Sequence, residues 1–280
     1  MPAENSLEDF RKNHPHPDQL GINTLFKFYA GTQFIETLFI SKELYHSLPE
    51  KFNDPFECKP NFSWPKQPAK IKKIREHLIK VIRESGITKR QSEKIVSNAM
   101  IGSPHEMIAG AAIETFKKIR ICCFTSDNKN LLFWAHYANS HKGFCIEFDC
   151  TKLPISNSFK VNYQNEYPEV TYPPQNDERA FETVLMKSKH WQYENEFRSV
   201  FIPINIVQQS ILQSMISDNL ESLKLKGDEI INIYLGARIE EHTEKTIINL
   251  INKSSFNPKI WKSKLSDSSF ELKFEEYIPK

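Results

Sequence analysis

The stretch from Cys122 to Asp149, CCFTSDNKNLLFWAHYANSHKGFCIEFD, constrains this chain more than any other, because it sets chemically capable side chains among core-forming ones within a short span. Its periodicity predicts a strand over Arg120 to Thr125, a loop over Ser126 to Asn130, a short helix over Leu131 to Ser140 and a second strand over Lys142 to Asp149. In that second strand Phe144, Ile146 and Phe148 share one face, and Cys145, Glu147 and Asp149 the other. The helix sets Leu131, Trp134 and Ala138 on one stripe and Leu132 and His136 on the next, which stands polar groups beside an aromatic wall. A strand, a polar loop, an aromatic helix and a returning strand make one wall of a pocket, and the flanking segments are expected to complete it.

A chain of 280 residues can bury one large core or two modest ones. Its 37 Lys and Arg against 35 Asp and Glu leave a formal charge of +2, too weak a field to point to nucleic acid. The opening MPAENSLEDF has neither a basic nor an apolar targeting region, and no apolar run approaches the roughly 18 residues of a membrane span, so the expectation is a soluble cytoplasmic protein with no membrane partner. Five cysteines without CxxC spacing read as reduced core thiols, and no metal site is expected.

Taken in order, Met1 to about Gln19 reads as a partly ordered arm with His14 and His16 solvated. Thr24 to Ala30 is a strand in which Lys27 and Tyr29 share a face; Lys27 either snorkels to the sheet edge or meets a ligand. A short strand or helix end is expected near Glu36 to Ser41. Asn53-Asp54-Pro55 is turn chemistry, with Phe52 and Phe56 pinning its two sides into the core and Asp54 and Glu57 turned toward a common space. From about 66 to 118 the pattern predicts a helical insertion of three helices, the last over His105 to Lys118. Lys160 to Tyr163 follows as a strand and Glu178 to Lys189 as a helix. A strand from Glu194 then lines up Glu194, Glu196 and Arg198 on one face, where such charges must pair or meet a ligand. Ile204 to Leu225 reads as helix, Glu229 to Leu235 as a buried strand closed by Gly236, Glu240 to Asn252 as helix, and Lys259 to Leu265 and Phe270 to Tyr277 as strands. Strands mixed with helices without strict alternation predict a single α+β domain over 1–280, with a mixed, largely antiparallel sheet core. No GxGxxG, P-loop or GxSxG occurs, and 8 glycines leave no glycine-rich phosphate cradle.

Phe52 to Glu57, Cys123 to Ser126, Trp134 to Asp149, Trp191 to Arg198 and Ile231 to Gly236 together resemble a bacterial family known only as a domain of unknown function. Its members carry an fNDPfE turn, a CFS-type strand, WxHYxxxHxGFCIxFD, WxxExExR and an iiLG strand. That resemblance implies a role in phage defence, as a toxin or effector with a neutralising or sensing partner, without naming a reaction. Lys27, then Phe124-Thr125-Ser126, then Glu194-Asn195-Glu196 also resemble, in that order, the cation, aromatic-Ser-Thr-Ser strand and Glu-x-Glu pair of arginine-specific ADP-ribosyltransferases. Lys stands where that family has Arg, and Thr125-Ser126 shortens the Ser-Thr-Ser.

The second resemblance implies an NAD-using transferase. Cleaving the nicotinamide–ribose bond passes through an oxocarbenium-like state that a carboxylate stabilises. Glu196 is assigned that role, and Glu194 the orienting or deprotonating of a protein or nucleic-acid acceptor. Lys27, Tyr29, Thr125, Ser126 and His136 are expected around the dinucleotide, with Trp134 or Tyr137 stacked on nicotinamide and Asn53, Asp54 and Glu57 shaping the pocket. Arg198 would meet the diphosphate or hold Glu196 in place. Two rivals stand beside this expectation: a metal-dependent hydrolase or nuclease built on Asp54, Glu57, His136 and Glu147, and a non-catalytic sensor or interaction module.

Overall fold

The computed structural model describes residues 4–59, 61–63, 65–101, 117–167, 169–171, 182–203 and 211–277. Its strands are β1 (Thr24–Tyr29), β2 (Glu43–Tyr45), β3 (Asn61–Ser63), β4 (Arg120–Thr125), β5 (Phe144–Asp149), β6 (Ser158–Lys160), β7 (Asn162–Gln164), β8 (Glu169–Thr171), β9 (Met186–Ser188), β10 (Glu196–Phe201), β11 (Ser222–Lys224), β12 (Ile230–Leu235), β13 (Lys259–Leu265) and β14 (Leu272–Glu276). Its α-helices are α1 (Glu4–Asn13), α2 (Ile35–Phe39), α3 (Pro68–Glu84), α4 (Lys89–Ile101), α5 (Leu131–His136) and α6 (Glu241–Lys253). Eight strands form one sheet in the order β14, β13, β12, β5, β1, β4, β10, β6. Every pairing in it is antiparallel except β12 with β13, which α6 joins as a crossover helix. The fold is mixed α+β with a largely antiparallel sheet.

Alternation sorts the two faces of this sheet. Leu25, Phe124, Phe144, Ile146, Phe148, Phe197, Ile233 and Leu235 point to one side and are buried against Leu38 and Phe39 of α2 and Ile247 and Ile251 of α6. On the other side the ladder registers set Asn232, Glu147, Phe26, Thr125 and Glu196 in one row across β12, β5, β1, β4 and β10. This second face carries Trp134 and Ala138 at one end and the charged residues of β10 at the other. Burying one face against helices frees the other for chemistry.

Two glycines fix where the 137–143 turn meets the sheet. A Cβ on Gly236 would lie 2.2 Å from the His141 carbonyl oxygen, and one on Gly143 would lie 2.0 Å from that of Tyr29. The backbones touch because Gly236 N–H donates to the Gly143 carbonyl at 2.9 Å and Arg238 N–H to that of His141 at 2.9 Å. Gly236→Ala is therefore expected to cost about 1–3 kcal/mol, since backbone and not a yielding side chain must move. Gly31→Ala, at a position with open space around it, serves as the neutral control in the same denaturant titration.

Several expectations need correcting. The N-terminal segment is helical from Glu4, and His14 is buried with Nδ1 against the Lys160 carbonyl at 3.0 Å, because Phe10, His14 and Phe159 pack together. Of the strand or helix end expected near Glu36 to Ser41, the helix is what forms, as α2 over Ile35–Phe39. The strand over Lys160 to Tyr163 is two short ones, β6 and β7, which pair with different partners. Of the helix expected over Glu178 to Lys189, residues 178–181 lie outside the described residues, Glu182 is helical, and 183–185 form a 3-10 turn leading into β9. Among the described residues of 204–225, a 3-10 turn and β11 replace the expected helix. Phe56 is 66% exposed and does not pin the turn; Phe52 alone packs inward. Helices α3 and α4 form the insertion and close on each other through Ile74, Leu78 and Val96. Of the third expected helix, residues 105–116 lie outside the described residues. No helix among the described residues is long and apolar enough to cross a membrane.

Candidate functional site

Local chemistry fixes the backbone around the site first. Asn130 caps α5 by accepting from the Leu132 N–H at 3.0 Å, and its amide donates to the Tyr193 carbonyl at 3.0 Å. Thr125 Oγ1 donates to the Glu194 carbonyl at 2.7 Å and accepts from the Asp127 N–H at 3.2 Å. The loop after β4 is thereby tied to a 3-10 turn over Lys189–Glu194. Asn195 then takes a left-handed conformation, φ 44°, that ends this turn, so β10 begins at Glu196 and not at Glu194. The strict alternation expected from Glu194 fails at that residue. Both glutamates nonetheless meet at one ammonium.

That ammonium belongs to Lys187 on β9. It lies 2.6 Å from Glu194 Oε2, 3.1 Å from Glu196 Oε2 and 3.0 Å from Glu57 Oε1. Arg198 supplies the second cation: Nε donates to Glu196 Oε1 at 2.7 Å, Nη2 to Glu196 Oε2 at 3.1 Å and to Glu57 Oε2, and Nη1 to the Val184 carbonyl at 2.7 Å. Tyr137 donates to Glu194 Oε1 at 2.6 Å, and the Glu196 N–H donates to the Tyr163 hydroxyl at 2.8 Å. Three carboxylates and two cations are buried together, with every carboxylate oxygen engaged.

The two glutamates are pushed in opposite directions. Burial works to raise the Glu196 carboxyl, but the charges of Arg198 and Lys187 outweigh it and hold the group well below the ordinary range. Glu194 is raised, first by burial and then by the neighbouring Glu196 charge, against the pull of Lys187. Burial would lower Lys187, yet Glu196 and Glu57 carry it above its usual value. A depressed carboxylate contributes stability that is complete above its unfolded value of about 4.3 and is lost as pH falls through the folded one. Glu194, being raised, has the opposite sign. The stability gap between wild type and Glu196→Gln, read from denaturant titrations, is therefore expected to narrow as pH falls below about 4. A gap constant from neutral to acid pH would show that Glu196 is not the ionised partner.

Above the cluster lies a cavity of about 350 Å³ lined by Phe26, Lys27, Phe28, Lys51, Phe52, Asn53, Glu57, Cys123, Phe124, Phe133, His136, Tyr137, Lys187, Glu194 and Glu196. The structure thus gathers Lys27, Asn53, Glu57, His136, Tyr137, Glu194 and Glu196 at one place. Lys27 is half-buried at this lining, and the other expected residues stand elsewhere or are turned inward. The Lys27 ammonium is 3.5 Å from the Cys123 carbonyl oxygen and 5.5 Å from the Tyr29 ring centroid. Tyr29 is stacked on Phe144. Trp134 is fully buried, with Nε1 donating to the Asn128 carbonyl at 2.7 Å and Phe28 against its ring, so Tyr137 and not Trp134 faces the cavity. Thr125 is spent on the Glu194 backbone, and neither it nor Ser126 reaches the lining. Arg198 is fully buried against Glu196 and Glu57, where it orients them and cannot meet a diphosphate. Asp54 accepts from Trp191 Nε1 at 2.7 Å and from the Phe56 N–H at 2.8 Å, which makes the Asx turn foreseen for it.

The residue sequence reasoning missed is Lys187. The available signal was charge balance: Glu194 and Glu196 lined up with Arg198 alone leave one negative charge uncompensated if all three are buried, which calls for a second cation. Glu147 lies outside the cluster and accepts from Asn232 and Tyr234, each at 2.7 Å. Among the described residues no group of three or more His, Cys, Asp or Glu is placed to hold a metal ion; Glu57 and His136 line one cavity, Asp54 lines the other with Glu57, and Glu147 lines neither.

A family model described as a protein of unknown function (DUF2971) matches residues 133–199, from α5 to the Arg198 strand. No curated protein and no solved structure matches the chain.

Proposed function

We propose that the chain cleaves the nicotinamide–ribose bond of a dinucleotide and passes the ADP-ribosyl group to an acceptor. The observation that carries this is the pairing of Glu194 and Glu196 on one ammonium at the floor of an aromatic-lined cavity, with their proton affinities split. Nicotinamide departs as a neutral ring and needs no acid. What the step needs is a fixed negative charge beneath the ribosyl cation and a base for the acceptor. Glu196, held ionised, supplies the first; Glu194, whose proton affinity is raised, supplies the second. Tyr137 holds Glu194 and stands at the cavity wall for the nicotinamide ring. Lys51, which is exposed, and Lys27, which is half-buried, both line this cavity and are its candidate cations for phosphate.

Purified protein incubated with NAD labelled in its adenosine half, with and without cell extract, tests this directly. Release of nicotinamide with label moving to extract protein or nucleic acid is the expected result. Absence of both overturns the reading. The engagement of all six carboxylate oxygens favours a second reading, a non-catalytic module in which the cluster only braces the cavity for a bound nucleotide. Nucleotide binding without turnover is its signature.

A further inference from the structure

A second and larger cavity, of about 600 Å³, lies on the far side of the Asn53–Lys59 turn. It shares Asn53, Glu57 and Lys187 with the smaller one, so the two cavities adjoin at these residues. Its walls carry rings that the core has no use for: Phe56 is 66% exposed, Tyr167 is 44% exposed and Trp191 is half-buried. Trp191 is held rigid, with Nε1 on Asp54 at 2.7 Å and the Lys187 ammonium 5.0 Å from its ring centroid. Large apolar rings left in water beside a deep pocket cost free energy unless something covers them.

One polar atom in this pocket is unexplained. Thr183 lines it, is 1% exposed, and its hydroxyl has no hydrogen-bond partner among the described residues. A buried hydroxyl without a partner is destabilising, and a ligand that supplies the missing bond removes the penalty. The same lining holds Asn165, which is exposed, and Gln164, whose Nε2 donates to Met186 Sδ at 3.1 Å; amides of this type pair with the edge of adenine. Rings for stacking, amides for a base edge and a buried hydroxyl for a sugar or base atom together describe a nucleoside.

We propose that this cavity is a purine-nucleoside subsite, which takes the adenosine half of the dinucleotide while the nicotinamide half enters the smaller cavity across Lys187. The inference rests on the function proposed above for its choice of ligand, and its test does not depend on turnover. AMP and nicotinamide mononucleotide are titrated separately by calorimetry into wild type, Phe56→Ala and Thr183→Val. AMP is expected to bind wild type and to bind each variant roughly tenfold more weakly, the loss that removing a stacked ring or one hydrogen bond brings. Nicotinamide mononucleotide is expected to bind all three alike. Thr183→Val removes a hydroxyl that has no partner among the described residues, so its melting temperature is expected to equal or exceed that of wild type, which separates lost binding from lost folding.

No AMP binding to wild type, or equal AMP binding to all three proteins, overturns the subsite. So does an oligoadenylate that binds far more tightly than AMP with the same dependence on Phe56, since the pocket would then serve a polynucleotide. AMP binding that depends on Phe56 and Thr183, in a protein that releases no nicotinamide from NAD, upholds the subsite and rejects the glycosidic step. Nicotinamide release with AMP binding unchanged in both variants does the reverse.

Discussion

Replacing Arg198 with methionine is expected to cost about 3–5 kcal/mol of stability, which lowers the melting temperature of a chain of this size by an amount on the order of 10 °C. The guanidinium is fully buried and donates to Glu57, to both oxygens of Glu196 and to the Val184 carbonyl. Methionine fills much of the volume and supplies none of those donors. Three carboxylates then face a single cation, Lys187, in surroundings where an unpaired charge is far costlier than in water. Adding Glu57→Gln to Arg198→Met removes one of the stranded charges, so the double variant is expected to lose clearly less than the sum of the two single losses. Thermal and denaturant unfolding of the four proteins measure this. A loss under about 1 kcal/mol for Arg198→Met would mean that the cluster is compensated by water or by neighbours other than Arg198.

The same cluster shows where sequence periodicity stops being informative. β4, β5, β12, α6 and β13 are legible because each buries one face or both, and the apolar period of a strand or helix survives in the residues themselves. The row Glu147, Phe26, Thr125, Glu196 is half legible: alternation assigns the face, but only the ladder register assigns the neighbours. Glu194 is misplaced by alternation because one left-handed residue, Asn195, turns the chain between the two glutamates, and asparagine in that conformation leaves no periodic trace. Lys187 sits in a run of polar residues, KSKHW, that reads as solvated, and what buries it is β9 pairing with the distant β7. Where residues 183–189 and 211–225 are described, the helical spacing read there is coincidental: short apolar stretches form 3-10 turns and short strands that pair with β7 and β2. Phe56 is the most instructive miss, because an exposed phenylalanine beside a deep cavity points to a ligand and not to a core.

Substituting the two glutamates one at a time is expected to separate their roles in the proposed reaction. In Glu196→Gln, nicotinamide release should fall by about 10²–10³-fold, the usual effect of removing one preorganised group from the centre of developing charge. Glutamine keeps the shape, but only its oxygen accepts: placed at Oε2 it keeps Lys187 and Arg198 Nη2, while its NH2 meets the Arg198 Nε–H as donor against donor, so a folded protein at assay temperature is the condition on which the comparison is made. In Glu194→Gln the formation of the ribosyl cation keeps its stabilising charge, and the loss should fall on transfer to the acceptor, by roughly 10²-fold, with nicotinamide release less affected. The pH dependence supplies the sharper contrast. A base with raised proton affinity loses function on the acid side at a pH above the ordinary carboxylate range, so the transfer rate of wild type should decline there as Glu194 takes up a proton. That acid limb should vanish in Glu194→Gln and persist in whatever activity Glu196→Gln retains. If the limb persists in Glu194→Gln, the proton belongs to another group, and His136 on the same cavity wall becomes the next residue to substitute.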